Sequence, residues 1–143
     1  MSGLLGRHEY QIDAKGRASL PSAFRRAVSG RPLVLLQWQE SHLDLFPEET
    51  WSEIRKNLLS HRKAQRDGGA YLRRITSSAV EVEPDKHGRI RVPLWLLERA
   101  GLGDTVLFVG ALDRIELWNP DRFDEHLRAP DAEEDRFAAQ IFA

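Results

Sequence analysis

Residues 12–21 read IDAKGRASLP, and residues 84–93 read PDKHGRIRVP. At a constant shift of 72 positions, an aspartate, a glycine, an arginine and a proline of the first stretch recur in the second. The matched residues are Asp13, Gly16, Arg17 and Pro21 in the first stretch and Asp85, Gly88, Arg89 and Pro93 in the second. The same register continues without a gap to Phe46, which falls on Trp118. The chain is therefore predicted to be two copies of one structural unit.

Each copy is predicted to fold as β-β-α-β-β. Residues 8–12 and 79–83 alternate apolar and polar side chains, as half-buried strands do. Asp-x-x-Gly then predicts a hairpin turn, because aspartate caps its own backbone and glycine accepts a positive φ. Proline ends the return strand and suits the start of a short helix, with Gly30 and Gly101 placed to end the two helices. The remaining strands are predicted at 33–38, 43–46, 105–109 and 114–118.

The predicted organisation has four parts. Residues 1–47 form the first repeat, 48–76 a helical connector, 77–119 the second repeat, and 120–143 a C-terminal helix with an acidic, loosely ordered tail. In the connector, Asp67-Gly68-Gly69 is expected to break the helix, whose apolar stripe is predicted to consist of Trp51, Ile54, Leu58 and Leu59. The fold class is α+β and rich in β-structure.

Composition restricts the classes of function. The chain has 143 residues, no cysteine and no apolar run of the roughly 20 residues that a membrane helix needs, and its first residues lack the apolar core of a signal peptide. A soluble cytoplasmic protein without a membrane partner is expected. Although the net charge is only -1, residues 1–31 carry +4 and residues 113–143 carry -5. The basic N-terminal part indicates an anionic partner.

The repeated Asp-x-(Lys/His)-Gly-Arg-x-x-x-Pro, followed in the second copy by Gly103, Asp104 and Val106, resembles the AbrB-type swapped-hairpin DNA-binding fold. Two such copies in one chain resemble the MraZ family over about Leu4 to Phe123. The resemblance implies a pseudo-twofold barrel in which the two copies interleave their hairpins, a fold that single-copy members reach by dimerising.

The resemblance also implies a function. It predicts a sequence-specific, nucleoid-associated DNA-binding regulator, expected to repress a bacterial division and cell-wall gene cluster. The protein would bind tandem G-rich promoter boxes on double-stranded DNA as a ring-shaped homo-oligomer. Two alternatives stay open: an AbrB-like antitoxin that grips a partner protein with its acidic tail, and a self-assembling structural protein that does not bind DNA.

The candidate DNA-binding residues lie in and around the two turns. Arg17 and Arg89 can either form ion pairs that pin the turns through Asp13 and Asp85, or project guanidinium groups to the major-groove edge of guanine. Lys15 lies at the tip of the first turn, where the second copy has His87, so the first turn is expected to contribute more of the affinity. Weaker candidates for phosphate contacts are Arg7, Arg25, Arg26 and Arg91. The residues expected to support the motif are Asp13, Gly16, Pro21, Asp85, Gly88 and Pro93.

Catalysis is not predicted. The five histidines are scattered without the spacing of a metal site, so no metal, cofactor or small-molecule substrate is expected. Ser41-His42-x-Asp44 brings together the residue types of a hydrolytic triad, but adjacency in sequence is no evidence for one.

Overall fold

The computed structural model describes residues 3–28 and 31–143. Within these ranges the chain forms two β-β-α-β-β units, as predicted, each followed by further helices. The first unit and its connector comprise β1 (Arg7–Gln11), β2 (Arg17–Ser19), α1 (Ser22–Val28), β3 (Leu33–Gln39), β4 (His42–Phe46), α2 (Glu48–Ala64) and α3 (Gly68–Thr76). The second comprises β5 (Val80–Val82), β6 (Arg89–Arg91), α4 (Leu94–Arg99), β7 (Thr105–Gly110), β8 (Ile115–Trp118), α5 (Pro120–Arg128) and α6 (Glu134–Phe142).

Strands of the two copies alternate within shared sheets. A six-stranded antiparallel sheet has the order β1-β7-β8-β4-β3-β5, and β2 pairs with β6 in a separate two-stranded ladder. The first strand of each copy therefore pairs with the third strand of the other, β1 with β7 and β5 with β3. Asp44 on β4 and Glu116 on β8 are direct partners and also equivalent positions of the repeat, as are Ala18 and Ile90 between β2 and β6. These two pairs mark a pseudo-twofold relation between the copies.

The main apolar core lies between the six-stranded sheet and the two-stranded ladder. Leu43, Leu45 and Leu117 of the central strands are at most 1% exposed and share this core with Ala18 and Ile90. Both copies therefore contribute to one main core.

The opposite face of the sheet is covered by helices from each copy. Phe46 packs with Ile75 of α3 and with Trp51, Ile54 and Leu58 of α2. On the other half of the sheet, Trp118 and Leu107 pack with Phe123 of α5. The predicted stripe of the connector was correct except for Leu59, which is 39% exposed.

Several local predictions were wrong. All five residues of β1 are exposed, although their alternation predicted a half-buried strand. β1 is an edge strand that pairs only with β7, and none of its side chains is buried, whereas the other edge strand, β5, buries Val82. Gly68 and Gly69 lie inside α3 rather than before it, and the break between the helices falls at 65–67. The tail forms α6, whose first turn carries acidic residues that favour the helix dipole, although none of its residues is buried.

The two predicted helix-ending glycines have different outcomes. Gly101 directly follows the C-cap residue of α4 and has φ +70, in the left-handed region predicted for it. Gly30 lies outside the described residues. No helix in the described ranges is both long enough and apolar enough to cross a bilayer.

Candidate nucleic-acid interface

The first turn is organised by one carboxylate. Oδ1 of Asp13 accepts hydrogen bonds from the backbone N–H of Lys15 and of Arg17, both at 2.9 Å, and Oδ2 accepts from Nε of Arg17 at 2.7 Å. The Asp13 N–H donates to the Arg17 carbonyl at 2.9 Å, and Gly16 N–H donates back to the Asp13 carbonyl at 3.0 Å. Gly16 closes the turn at φ +83, which a residue with a Cβ rarely adopts.

The second turn repeats this arrangement. Oδ1 of Asp85 accepts from the backbone of His87 at 2.8 Å and of Arg89 at 2.9 Å, and Oδ2 accepts from Nε of Arg89 at 3.0 Å. Gly88 has φ +78. The predicted pairing of aspartate with the arginine four residues later is therefore confirmed in both copies.

The pKa values of both aspartates are lowered by their hydrogen bonds. Hydrogen bonds from the Arg17 backbone, together with those from the Arg17 side chain and the Lys15 backbone, lower the pKa of Asp13 from 3.8 to about 2. The pKa of Asp85 is lowered in the same way, first by the Arg89 backbone and then by His87. Both carboxylates therefore stay ionised at neutral pH and orient the guanidinium groups beside them.

The arginines share one exposed face of the β2–β6 ladder. Arg17 lies opposite Arg91, and Ser19 lies opposite Arg89. Between them, Ala18 and Ile90 point inward and are 3% and 0% exposed. Because side chains alternate along a strand, all three arginines project from the face opposite the core.

This face carries an excess of positive charge. The segments 13–17 and 85–91 contain five lysines and arginines against two aspartates, a formal balance of +3. The side chains of Arg17 and Arg89 are 37% and 36% exposed. Each arginine donates a hydrogen bond from Nε to its aspartate. Among the described residues, neither arginine donates a further hydrogen bond from its Nη nitrogens. We call the ladder with its two turns, residues 13–19 and 85–91, the cationic ribbon.

The weaker candidates separate into two groups. A Cβ atom added at Gly88 would lie 2.0 Å from Nη1 of Arg25, so Arg25 packs directly on the second turn and belongs beside the ribbon. Arg7 lies at the far end of β1, and its guanidinium contacts the ring of Phe123 at 5.7 Å. Six residues of extended chain separate it from Asp13 by about 20 Å, so Arg7 does not lie at the first turn.

The two prolines of the motif stand where the return strands end. Pro93 is the N-cap residue of α4, and Pro21 directly precedes α1 and accepts hydrogen bonds from the backbone of Phe24 and Arg25 at 2.9 Å. They set the directions in which the two short helices leave the ribbon.

A second cluster of polar side chains lies on the helix-covered face of the sheet. Nε2 of His42 is 3.4 Å from Oδ2 of Asp44 and 3.3 Å from Oε2 of Glu116. Burial acts to lower the pKa of His42, but the two carboxylates outweigh it and raise the pKa to about 9. Burial likewise acts to raise the pKa of Glu116, but the nearby imidazole of His42 and the hydrogen bond from Trp118 lower it.

Sequence analysis missed this cluster and predicted no metal ligands. The signal was the alternation of His42 and Asp44 on one strand, combined with Glu116 at the repeat-equivalent position of Asp44. The triad-like residues do meet, since Ser41 Oγ lies 2.7 Å from His42 Nδ1. His42 and Asp44 are only 3% and 0% exposed, however, so neither side chain can touch a substrate at the surface.

Comparison with known sequences identifies the family to which this chain of two β-β-α-β-β copies belongs. The family model described as "MraZ protein, putative antitoxin-like" matches residues 4–73 and 75–140. The chain is 31% identical to the protein named transcriptional regulator MraZ of Caldanaerobacter subterraneus subsp. tengcongensis, over 96% of each sequence. It is 38% identical to the protein of the same name from Bifidobacterium longum, over 87% of this chain and 82% of that protein. The chain belongs to the MraZ family.

Proposed function

We propose that this protein regulates transcription by binding double-stranded DNA, sequence-specifically, through the cationic ribbon. The names of its relatives support a role in transcription. The observation that carries the DNA contact is the pair of aspartate-held arginines, Arg17 and Arg89, on one exposed two-stranded face.

The geometry of the ribbon suits the major groove of B-DNA. That groove admits a two-stranded ribbon and displays the O6 and N7 acceptors of guanine, which a guanidinium contacts with two parallel donors. Asp13 and Asp85 hold the Nε edge of each arginine, so the Nη edge is the one directed to a ligand. Alternate residues of a strand are about 6.7 Å apart, close to two base-pair steps of about 3.4 Å. Arg89 and Arg91 on β6 would therefore contact DNA about two base pairs apart.

The remaining cations would contribute phosphate contacts. Lys15 and His87 lie exposed in equivalent positions of the two turns, and Arg25 lies beside the second. The expected dominance of the first turn stays a prediction. Against it, Arg91 has Ser19 as its counterpart in the first copy, which gives the second copy the additional arginine on the face.

We further propose that the fold is the swapped-hairpin barrel of AbrB-type proteins, contained in one chain. The exchange of first strands between copies supports this, as does the ladder between β2 and β6. The Gly16 carbonyl accepts from Val92 N–H at 2.8 Å, and the Gly88 carbonyl accepts from Leu20 N–H at 2.9 Å. Each turn is thus bonded to the return strand of the other copy. The division into parts at residues 47, 76 and 119 is part of the same proposal.

The proposal includes three further parts that rest on the family resemblance. The protein associates with itself into a ring, and it represses a division and cell-wall gene cluster by binding tandem G-rich boxes. It is located in the cytoplasm, on the nucleoid. Exposed apolar side chains support self-association: Leu5, Leu112, Ile141 and Phe142 are 63–86% exposed. Several ribbons in one assembly would raise the affinity for repeated boxes through effective concentration.

The test is fluorescence anisotropy with a labelled duplex that carries tandem G-rich boxes, compared with a scrambled duplex of equal length. Arg17→Ala and Arg89→Ala are each expected to reduce the discrimination between the duplexes by about 1–3 kcal/mol, or about 5- to 150-fold. The matched control is Arg62→Ala, which removes an exposed arginine on α2 outside the ribbon and should leave the discrimination unchanged.

Two results would favour the other functions. Absence of binding to either duplex at low salt, by a chain that still self-associates, would favour a structural protein. Loss of binding to a partner protein on deletion of residues 131–143, with no specific DNA affinity, would favour an antitoxin.

A further inference from the structure

We propose that His42, Asp44 and Glu116 form a binding site for one divalent transition-metal ion, with Zn²⁺ the best fit, and that this ion links the two copies of the repeat. The site is separate from the cationic ribbon. It lies on the helix-covered face of the sheet, whereas the ribbon lies beyond the main core.

The strand pairing brings the three ligands together. Asp44 and Glu116 are direct partners between the central strands β4 and β8, and His42 lies two residues before Asp44 on the same face of β4. Two ligands therefore come from the first copy and one from the second. A bound ion would join the two copies at the middle of the sheet.

The two distances from His42 Nε2 to the carboxylate oxygens are close to the separations between ligands of one metal ion, and the separation between the Asp44 and Glu116 ligand atoms is at most 4.8 Å. Charge-assisted N–H···O bonds are about 2.7–2.9 Å long, but His42 Nε2 lies 3.4 and 3.3 Å from the two carboxylate oxygens. Ligands about 2.0–2.1 Å from a tetrahedral Zn²⁺ are about 3.3–3.4 Å from one another. One ligand atom from each residue can be chosen so that all lie within 4.8 Å of one another.

The ligand atoms lack other partners. His42 Nε2 and both carboxylate oxygens of Asp44 are buried and have no hydrogen-bond partner among the described residues. The imidazole of His42, at 3.4 Å, is the only salt-bridge partner of Asp44 among the described residues. Coordination of a metal would offset the cost of burying this carboxylate more fully. Arg114 interacts electrostatically with Asp44 and Glu116, but its side-chain hydrogen bonds go to Asp113 at 2.9 and 3.3 Å.

Neighbouring groups orient the ligands as outer-shell residues do in metal sites. Ser41 Oγ, 2.7 Å from His42 Nδ1, can accept its proton and leave the Nε2 lone pair directed at the carboxylates. Trp118 Nε1 donates to Oε1 of Glu116 at 2.9 Å, which leaves Oε2 on the side of His42. The Trp118 ring also stacks on the imidazole, with the ring centroids 4.5 Å apart.

The ligand set favours a transition metal over Mg²⁺ or Ca²⁺. Both of those ions prefer oxygen ligands in larger number, whereas imidazole with carboxylates suits Zn²⁺. Three protein ligands leave a fourth tetrahedral position, which a water molecule could take on the side of Glu116, whose side chain is 22% exposed. The ion would displace the proton from His42 Nε2, because a coordinating imidazole nitrogen must be unprotonated. With a neutral imidazole and two carboxylates, a divalent ion makes the cluster electrically neutral.

The experiment uses the full chain after removal of metal with a chelator. Binding of Zn²⁺ is measured by calorimetric titration, coordination geometry by the visible absorption of bound Co²⁺, and stability by thermal unfolding with and without Zn²⁺. Glu116→Gln removes a partly exposed ligand with little change in shape. Ser41→Ala removes the hydroxyl that orients His42. His61→Gln is the control, because His61 is an exposed histidine on α2.

The expected result is one Zn²⁺ per chain, a tetrahedral Co²⁺ spectrum and a higher melting temperature with Zn²⁺. Glu116→Gln should weaken binding by more than about 100-fold and Ser41→Ala by about 10- to 100-fold, while His61→Gln should have no effect.

Three results would overturn the proposal: no uptake of Zn²⁺ or Co²⁺ by the stripped chain, equal affinity in wild type and Glu116→Gln, or loss of binding in His61→Gln. If circular dichroism shows that Glu116→Gln does not fold, Ser41→Ala decides: an affinity equal to that of wild type rejects the site.

Discussion

Replacement of Gly16 by alanine tests the way in which the two copies are joined at the ribbon. Gly16 has φ +83, and a Cβ atom there would lie 2.2 Å from the carbonyl oxygen of Val92, a backbone atom of the other copy. Left-handed backbone costs a residue with a Cβ about 1–2 kcal/mol. Relief of the clash costs about 1–3 kcal/mol more, and loss of the Val92 N–H bond to Gly16 costs about 0.5–1.5 kcal/mol. We therefore expect Gly16→Ala to lower the free energy of unfolding by about 3–6 kcal/mol.

Two other glycines provide graded controls. At Gly88, φ is +78 and the added Cβ would meet the guanidinium end of Arg25, a flexible side chain that can move away. Gly88→Ala should therefore cost only about 1–2 kcal/mol, the backbone contribution. Gly103 has no atom within 4 Å of an added Cβ, so Gly103→Ala should lie within about 0.5 kcal/mol of wild type.

The measurement is chemical denaturation followed by circular dichroism, with all four proteins at equal concentration. If Gly16→Ala is no less stable than Gly88→Ala, the close approach of the first turn to the second copy is not a constraint in solution.

Three further predictions concern single side chains. Asp13→Asn should destabilise the chain at pH 6, and its difference from wild type in urea denaturation should shrink as the pH falls from about 4 towards about 2. The reason is that the lowered pKa of Asp13 contributes stability that is present above the unfolded value of 3.8 and is lost when the carboxylate is protonated. A difference in stability that does not depend on pH would contradict this prediction. Asn119→Ala should cost about 1–2 kcal/mol by thermal unfolding, because its Oδ1 caps α5 by accepting from two backbone N–H groups at 2.9 and 3.2 Å, and no loss would show that α5 does not depend on this cap. Phe108→Ala should lower the free energy of unfolding by about 3–5 kcal/mol, since Phe108 is 0% exposed in the shared core. The control, Phe137→Ala on α6, should change the free energy of unfolding of the isolated chain by less than about 0.5 kcal/mol. Similar losses of stability in the two variants would refute the assignment of the core.

Local structure was largely predictable from the sequence. Asp13 and Gly16 specify the first turn through contacts within five residues, and the repeat carries the same signal to the second turn. The two short helices follow from Pro21 and Pro93 for the same reason. These features depend on neighbours in the chain, which a sequence pattern records.

Pairing between distant segments was not predictable in the same way. The alternation in residues 8–12 is compatible with any half-buried strand, and only the sheet order makes β1 an exposed edge. The ladder that places Arg91 opposite Arg17 joins residues 74 positions apart, and no local pattern specifies it.

The buried cluster was missed for a related reason. Ser41, His42 and Asp44 are close in sequence, but Glu116 completes the cluster only through the pairing of β4 with β8. Asp44 and Glu116 are equivalent positions of the repeat, and this relation is the one sign of their contact that the sequence carries.

The salt dependence of DNA binding tests the proposed role of the cationic ribbon most directly. Removal of one cation that binds a phosphate should reduce the slope of log K against log salt concentration by about 0.9, whereas removal of a side chain that binds a base should lower specificity instead. We expect Lys15→Ala to reduce the slope by about 0.9 per bound ribbon, and the double variant Arg17→Ala, Arg89→Ala to abolish discrimination for G-rich boxes. Arg62→Ala should change neither. A double variant that binds G-rich boxes with the affinity and specificity of the wild type would contradict the account.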